Sequence, residues 1–248
     1  AWCMYDWANS AFATTILAAV FPIYYGKVAG ANLQGNLATV YWGYTASVAL
    51  LTVALTAPIL GAIADHSGAK KRFLFVFALL GVTFTALLVT VEKGDWQPAS
   101  LLFIFAYIGF AGSIIFYDSL LPHVSTPDDI DRVSSKGFAV GYLGGGLLLA
   151  LNLAWILKPQ LFMMKNTETA SRIAFLSVAV WWALFSIPLF KIVPEPAASP
   201  MAGRINPIRG GFERLSHTFQ EIRRYKELTK FLVAFWLYSD GIGTVIKM

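Results

Sequence analysis

The sequence predicts an all-α, polytopic transmembrane helical bundle, and three observations support this fold class. Hydrophobic residues make up 57% of the 248 residues and charged residues only 13%, whereas about a quarter of a soluble domain is charged. Several apolar runs reach the roughly 20 residues that a helix needs to cross a bilayer. Within these runs the apolar residues are consecutive, as in Phe73-Leu-Phe-Val-Phe-Ala-Leu-Leu, and do not alternate as the strands of a membrane barrel do.

Six complete spans and the start of a seventh are predicted. The spans are Trp2–Tyr25, Tyr41–Ala64, Phe73–Val91, Ala99–Pro122, Gly137–Leu157 and Ile173–Val193, and the seventh begins near Phe231. Each span must be helical because an open strand leaves its backbone groups without hydrogen bonds in lipid. The chain is therefore divided into an N-terminal bundle (1–193), a cytoplasmic connector (194–229) and the start of a second bundle (230–248).

The basic residues lie mainly in connectors on one side of the membrane. Thirteen of the 19 Lys and Arg residues fall on that side and five on the other, so the positive-inside rule predicts that the amino terminus faces the cytoplasm. The net charge of +5 then reflects topology and predicts no nucleic-acid partner. We expect a multi-pass protein of the bacterial inner membrane.

Neither a metal site nor a cofactor is predicted. The single cysteine, Cys3, can form neither an internal disulfide nor a cysteine-based metal site. The three histidines, His66, His123 and His217, lie far apart in the sequence, in or beside connectors.

The connector after the sixth span changes in composition along its length. It begins with Pro194-Glu-Pro-Ala-Ala-Ser-Pro and then becomes basic, with apolar residues spaced by three and four (Phe212, Leu215, Phe219 and Ile222). That spacing predicts an amphipathic helix on the inner membrane surface. A flexible tether is the alternative.

A motif with glycine, acidic and basic residues joins the second and third spans. It reads Gly61-Ala-Ile-Ala-Asp65-His66-Ser-Gly68-Ala-Lys70-Lys71-Arg72. Gly61 would let neighbouring helices approach, and Gly68 would allow a tight turn. Asp65 would pair with a basic group or with the N–H groups at a helix end. Alternatively, the segment is a polar turn beside lysines that set the orientation.

This motif resembles the signature loop of the major facilitator superfamily. The resemblance implies a gating loop that favours one of two transport conformations. Its members here would be Gly61, Asp65, Gly68, Lys70, Lys71 and Arg72. The chain departs from the pattern at His66, where the superfamily usually has Arg or Lys.

Further segments are similar to the vacuole-effluxer branch of that superfamily, which contains autophagy-related amino-acid exporters. They are Tyr5–Ile16, Phe116–Pro122, Gly137–Gly146 and Leu237–Gly241. The resemblance implies the six-helix N-terminal half of a major-facilitator fold plus its seventh helix, with a second bundle as partner. It also implies a secondary transporter that exports amino acids or similar small solutes across the lipid bilayer, with proton coupling left open.

Polar residues form a stripe along the first span. Asp6, Asn9, Ser10 and Thr14 occupy positions i, i+3, i+4 and i+8, which share one face of a helix. Polar groups within a membrane normally face the bundle interior or a water-filled cavity, so this face is predicted to line a substrate or ion pathway. The alternative is that nearby N–H groups satisfy Asp6 at the helix start.

Two further carboxylates lie within predicted spans. Asp240 is nine residues past Phe231, ~14 Å into the membrane at 1.5 Å per residue, where an ionisable side chain is functional by default. It is predicted to relay protons or to recognise an ammonium group. Asp118, near the end of the fourth span, is also assigned to the pathway, although the resembled family more often has Asn there.

Glycines recur in the fifth span. Gly137, Gly141 and Gly145 follow one another at intervals of four, the pattern of small residues that lets helices cross closely. We therefore predict a role in helix packing. The alternative is a role in antiport, which glycine-rich fifth spans of superfamily exporters imply.

The leading functional hypothesis is a secondary transporter whose two bundles alternate around a central site. Both ends of the chain look cut, so we expect a longer parent protein. One alternative is a helical scaffold or half-size pore that works by self-association. Another is a membrane-embedded enzyme that uses Asp6, Asp118 or Asp240, but no nucleophile–base pair accompanies them, so enzyme activity is not expected.

Overall fold

The computed structural model describes residues 1–66, 68–196 and 225–247, without the side chains of 62–66, 226, 236, 240 and 242–247. This part of the chain forms seven long helices and no strand. They are α1 (Trp2–Ala29), α2 (Leu37–His66), α3 (Lys70–Leu87), α4 (Trp96–Val124), α5 (Ile130–Leu157), α6 (Thr167–Ile192) and α7 (Lys226–Lys247). The predicted all-α class is confirmed.

Helices α1 to α6 are each long and apolar enough to cross a membrane, which confirms the polytopic bundle. Helix α7 is not among these six candidates. It begins at Lys226, before the predicted Phe231, and Glu227 and Lys230 in its first turns lower its mean hydropathy. The amphipathic helix predicted for the connector lies outside the described residues.

Helices α2 to α6 each begin three to seven residues earlier than predicted, because they continue beyond their apolar segments. Helix α5 begins at Ile130 and not at Gly137, and its 28 residues extend ~42 Å, past the ~30 Å hydrocarbon layer. Arg132 and Lys136, which the prediction assigns to a connector, therefore lie on the helix, from where long basic side chains reach the interface. Helix α2 likewise begins at Leu37, ahead of the predicted start.

Helix α1 changes pitch on both sides of Pro22. Wide π turns cover Phe12–Ala19 and Tyr25–Ala29, and the N–H of Val20 donates to the carbonyl of Thr15 at 2.8 Å, five residues back. Pro22 has no N–H to donate to the preceding turn, so regular α-helical bonding is interrupted here. The helix thus reaches Ala29, beyond the predicted end at Tyr25.

Helix α1 lies at the centre of the bundle. It packs against α5 and α6, while α4 packs against α2 and α3. Tyr5, Phe12, Phe21 and Tyr25 of α1 are fully buried, and the ring of Phe12 lies 5.8 Å from that of the buried Trp182 in α6. Large aromatic side chains therefore supply much of the apolar area that the bundle buries.

Helices α3 and α4 cross with their backbones in contact. A Cβ atom added at Gly109 would lie 2.2 Å from the backbone nitrogen of Gly81 and 2.5 Å from its Cα. So close an approach is possible only where the side chain is absent. Gly109 and Ser113 are four residues apart, and this small-residue pair was the signal from which the crossing could have been found.

Candidate functional site

A cavity of about 300 Å³ opens between α1, α4 and α5. It lies near the end of the bundle where α1 begins and where Lys70, Lys71 and Arg72 follow the α2–α3 turn, which we call the basic end. Its lining consists of Trp2, Asp6, Asn9, Ile114, Tyr117, Asp118, Leu121, Ser134 and Phe138. The cavity therefore combines residues of α1 with residues of α4 and α5, which lie far from α1 in the sequence.

The lining carries negative charge only. Asp6 on α1 is half-buried and Asp118 on α4 is exposed, and the lining contains no Lys, Arg or His. Among the described residues neither carboxylate forms an ion pair. Two carboxylates at the wall of one cavity create a negative potential that favours a cation.

Glycines of α5 provide the space that the Asp6 side chain occupies. A Cβ atom at Gly141 would lie 2.8 Å from Ser10 Oγ and 3.0 Å from the carboxyl carbon of Asp6. A Cβ atom at Gly137 would lie 2.8 Å from the ring of Trp2. The Ser10 hydroxyl donates to Asp6 Oδ1 at 3.4 Å, which orients the carboxylate over this surface.

Two buried polar side chains of the lining have no hydrogen-bond partner in the part of the chain that is described. Asn9 is 3% exposed and its amide makes no hydrogen bond there, and the hydroxyl of Tyr117 is buried without a partner. Tyr117 itself is held in place, because its ring stacks on Trp2 with centroids 4.2 Å apart. Its carbonyl also accepts a hydrogen bond from Trp2 Nε1 at 3.1 Å.

The lysines of the predicted gating loop connect three helices at the basic end. Lys70 Nζ donates to the carbonyl of Ser119 at 3.0 Å and lies 3.0 Å from His123 Nε2, both on α4. Lys71 Nζ donates to the carbonyl of Phe190, in the last turn of α6, at 3.1 Å. Carbonyls in the last turn of a helix lack intrahelical donors and attract cations, so Lys71 ties the start of α3 to the end of α6.

The other members of that loop differ in backbone conformation and in exposure. Gly68 has φ +57°, a left-handed conformation that suits glycine, and Arg72 is exposed. Among the described residues a Cβ atom at Gly61 would meet nothing within 4 Å, so a close helix approach at Gly61 stays a prediction. The side chains of Asp65 and His66 lie outside the described residues.

The sequence matches the vacuole effluxer Atg22-like family over residues 34–129 and 123–248. The chain belongs to this family. It is 36% identical over its whole length to an uncharacterized MFS-type transporter, YxiO, of Bacillus subtilis, of which it covers 58%. No solved structure is detectably similar to it.

Fungal relatives extend the same family assignment. An autophagy-related protein 22 of Pyricularia oryzae is 24% identical over 81% of the chain, which covers 39% of that protein. An autophagy-related protein 22 of Coccidioides immitis is 25% identical over 82% of the chain, which covers 43% of that protein. The chain thus spans about half the length of the curated relatives it matches, and with its six apolar helices this vacuole effluxer-like protein is an integral, multi-pass membrane protein.

In this vacuole effluxer-like chain, the structure brings together only part of the predicted polar pathway. Asp6, Asn9 and Asp118 meet at the cavity, and Ser10 lies behind Asp6. Thr14 does not line it, because its hydroxyl donates to the carbonyl of Gly145 at 3.1 Å and so joins α1 to α5. Asp240 lies on α7, but its side chain is outside the described residues.

Six lining residues were not singled out from the sequence: Trp2, Ile114, Tyr117, Leu121, Ser134 and Phe138. Ser134 and Phe138 are four residues apart and flank Gly137, so they share a helix face with the glycines. That spacing was the available signal on α5. Among the described residues no group of three or more His, Cys, Asp or Glu could hold a metal ion.

Proposed function

We propose that the parent protein is a secondary transporter in which this bundle and a second bundle alternate around a shared site. The observation that carries the proposal is the cavity lined by Asp6 and Asp118, since carboxylates within membrane spans are costly and mark substrate or ion pathways. Family membership supports it, as does the name of the Bacillus subtilis relative, an MFS-type transporter. Helix α7 would begin the second bundle.

The proposed solutes are amino acids or similar small molecules, and the proposed direction is export. The family description, vacuole effluxer, supports this choice. The membrane would be a bacterial inner membrane with the basic end in the cytoplasm, as the distribution of Lys and Arg favours. Lys70 donates a hydrogen bond to α4 and Lys71 donates one to α6 at this end. These two hydrogen bonds would stabilise one conformation of the transport cycle.

Counterflow by the full-length parent protein in proteoliposomes tests the transporter. We expect a labelled amino acid or similar small solute to accumulate against an unlabelled pool. Asp118→Asn should lower the initial rate about tenfold, the factor that corresponds to roughly 1.4 kcal/mol, because one of two cavity charges is lost. Asp131→Asn is the matched control, since Asp131 is exposed near the basic end but outside the cavity.

Two results would contradict this proposal. If no amino acid, sugar or other small solute exchanges, the protein is not a transporter of such solutes. If Asp118→Asn and Asp131→Asn reduce exchange equally, the cavity is not on the pathway.

Proton coupling is tested separately at Asp240. We expect Asp240→Asn in the full-length protein to abolish the pH dependence of uptake into proteoliposomes, because the amide cannot carry a proton. The measurement is the initial rate across a series of external pH values at fixed membrane potential. A pH profile identical to that of the unchanged protein would rule out Asp240 as the coupling group.

A further inference from the structure

The cavity at the basic end lacks two kinds of partner for its lining residues, a counter-ion and hydrogen-bonding groups. Asp6 and Asp118 have no counter-ion among the lining residues or in the described ion pairs. A carboxylate removed from bulk water is stable when a positive group approaches it closely. An occupant with positive charge would supply this counter-ion.

The second missing partner is a hydrogen-bonding group. Asn9 is 3% exposed and lines the cavity, yet its amide makes no hydrogen bond within the described chain. Buried polar groups are nearly always hydrogen-bonded, so an occupant of the cavity can supply the partner that the Asn9 amide lacks. The amide oxygen of Asn9 can accept a hydrogen bond from an N–H donor.

The walls between these polar groups are aromatic. Trp2 and Tyr117 form a stacked pair, and Phe138 is 62% exposed at the edge of the cavity. Aromatic faces attract organic ammonium ions and contact their carbon atoms, whereas a small inorganic cation prefers a shell of oxygen ligands. A volume of about 300 Å³ is at the lower end of ligand pockets and suits a solute of a few carbon atoms.

We propose that this cavity binds small primary amines in their ammonium form. The ammonium nitrogen is held by Asp6 and Asp118 and donates to Asn9, and the carbon chain lies against the aromatic walls. This inference rests on the proposed transport function and narrows it: the bundle recognises the ammonium end of the solute. It offers nothing to a solute carboxylate, because no cationic side chain lines the cavity.

Calorimetric titration of the purified full-length protein tests this site without requiring transport. The probes are diaminobutane and butanediol, which have the same carbon chain but differ in charge. We expect the diamine to bind and the diol to bind at least about tenfold more weakly, since a charged hydrogen bond is stronger than a neutral one. Asp6→Asn and Asp118→Asn should each weaken diamine binding by a similar factor, and Asn9→Leu should weaken it as well.

Two controls separate loss of the site from loss of the fold. Asp118→Glu keeps the charge and should retain binding within about threefold, and Asp131→Asn should leave binding unchanged. Equal binding of diamine and diol, or an affinity for diamine that is the same in Asp6→Asn, would overturn the proposal. Binding of sodium ions with no binding of diamine would overturn it too, because the cavity would then be an inorganic cation site.

The outcome for this site is distinguishable from the outcome for the transporter. Counterflow that depends on Asp118, together with equal binding of diamine and diol, would refute the amine site and leave the transport function intact. Diamine binding that depends on both carboxylates, together with no counterflow of any solute, would support the site and refute the transporter.

Discussion

Gly109→Ala is expected to separate α3 from α4 and to lower the thermal midpoint of the full-length protein in detergent by roughly 5–10 °C. The added methyl group would lie 2.2 Å from the backbone nitrogen of Gly81, well inside van der Waals contact. A backbone atom cannot rotate away as a side chain can, so the two helices must move apart. Overpacking of this kind costs about 1–3 kcal/mol and sometimes more.

Gly146→Ala is the matched control for this loss of stability. It makes the same change within a transmembrane helix, but a Cβ atom at Gly146 would meet nothing within 4 Å. Alanine is a better helix former than glycine by roughly 0.5–1 kcal/mol, so the midpoint should stay the same or rise. A midpoint for Gly109→Ala equal to that of Gly146→Ala would show that α3 and α4 do not cross in this way.

Gly141→Ala is expected to abolish most transport while the protein still folds. The new methyl group would meet Ser10 Oγ at 2.8 Å and the Asp6 carboxyl group at 3.0 Å, and both are ends of side chains that can rotate. Helix packing therefore survives, but the carboxylate moves out of the cavity and loses the hydroxyl that orients it. A displaced charged contact of this kind costs about 2–5 kcal/mol, so we expect the counterflow rate to fall about a hundredfold.

Alanine substitutions at Gly145 and Gly146, on the same helix, make this prediction specific to Gly141. A Cβ atom at Gly145 would meet the backbone carbonyl oxygen of Ser10 at 2.8 Å, so Gly145→Ala should lower the thermal midpoint as well as the rate. Gly141→Ala should lower the rate alone, and Gly146→Ala neither. Wild-type counterflow by a folded Gly141→Ala protein would show that the position of Asp6 does not matter for transport.

The prediction of the helices succeeded because it depends on local sequence alone. A run of apolar residues must be helical in lipid wherever it lies in the fold, so α1 to α6 were predictable from composition and length. Their ends were less predictable. Arg132 and Lys136 continue α5 beyond its apolar segment, and Pro22 accompanies π turns that no propensity argument anticipates.

The stripe on α1 shows where local reasoning reaches its limit. The spacing of Asp6, Asn9, Ser10 and Thr14 placed all four on one helix face. The structure divides that face: Asp6 and Asn9 line the cavity, whereas Thr14 bonds to the carbonyl of Gly145. The division depends on how α5 crosses α1, and a single helix does not contain that information.

The glycines within the helices also show that the sequence of one helix does not reveal its neighbours. Four glycines within helices have different surroundings. Among the described residues, a Cβ atom at Gly61 or Gly146 would meet nothing within 4 Å, whereas one at Gly109 would meet the backbone of Gly81 and one at Gly141 the side chains of Ser10 and Asp6. The small-residue spacing at Gly137, Gly141 and Gly145 indicated that something approaches α5 closely. It could not indicate that the neighbour at Gly141 is a carboxylate with a place in the candidate site.

The sequence by itself determined that this protein is a multi-pass helical bundle and which faces of its helices are polar, because apolar length and helical periodicity are local properties of the chain. Tertiary structure alone decided that Asp6 and Asp118 share one cavity with Asn9 and Tyr117. The two aspartates lie on helices far apart in the sequence, and only the crossing of α1, α4 and α5 brings their carboxylates to the same wall. The physical reason is that the rotation and separation of packed helices depend on all contacting side chains at once.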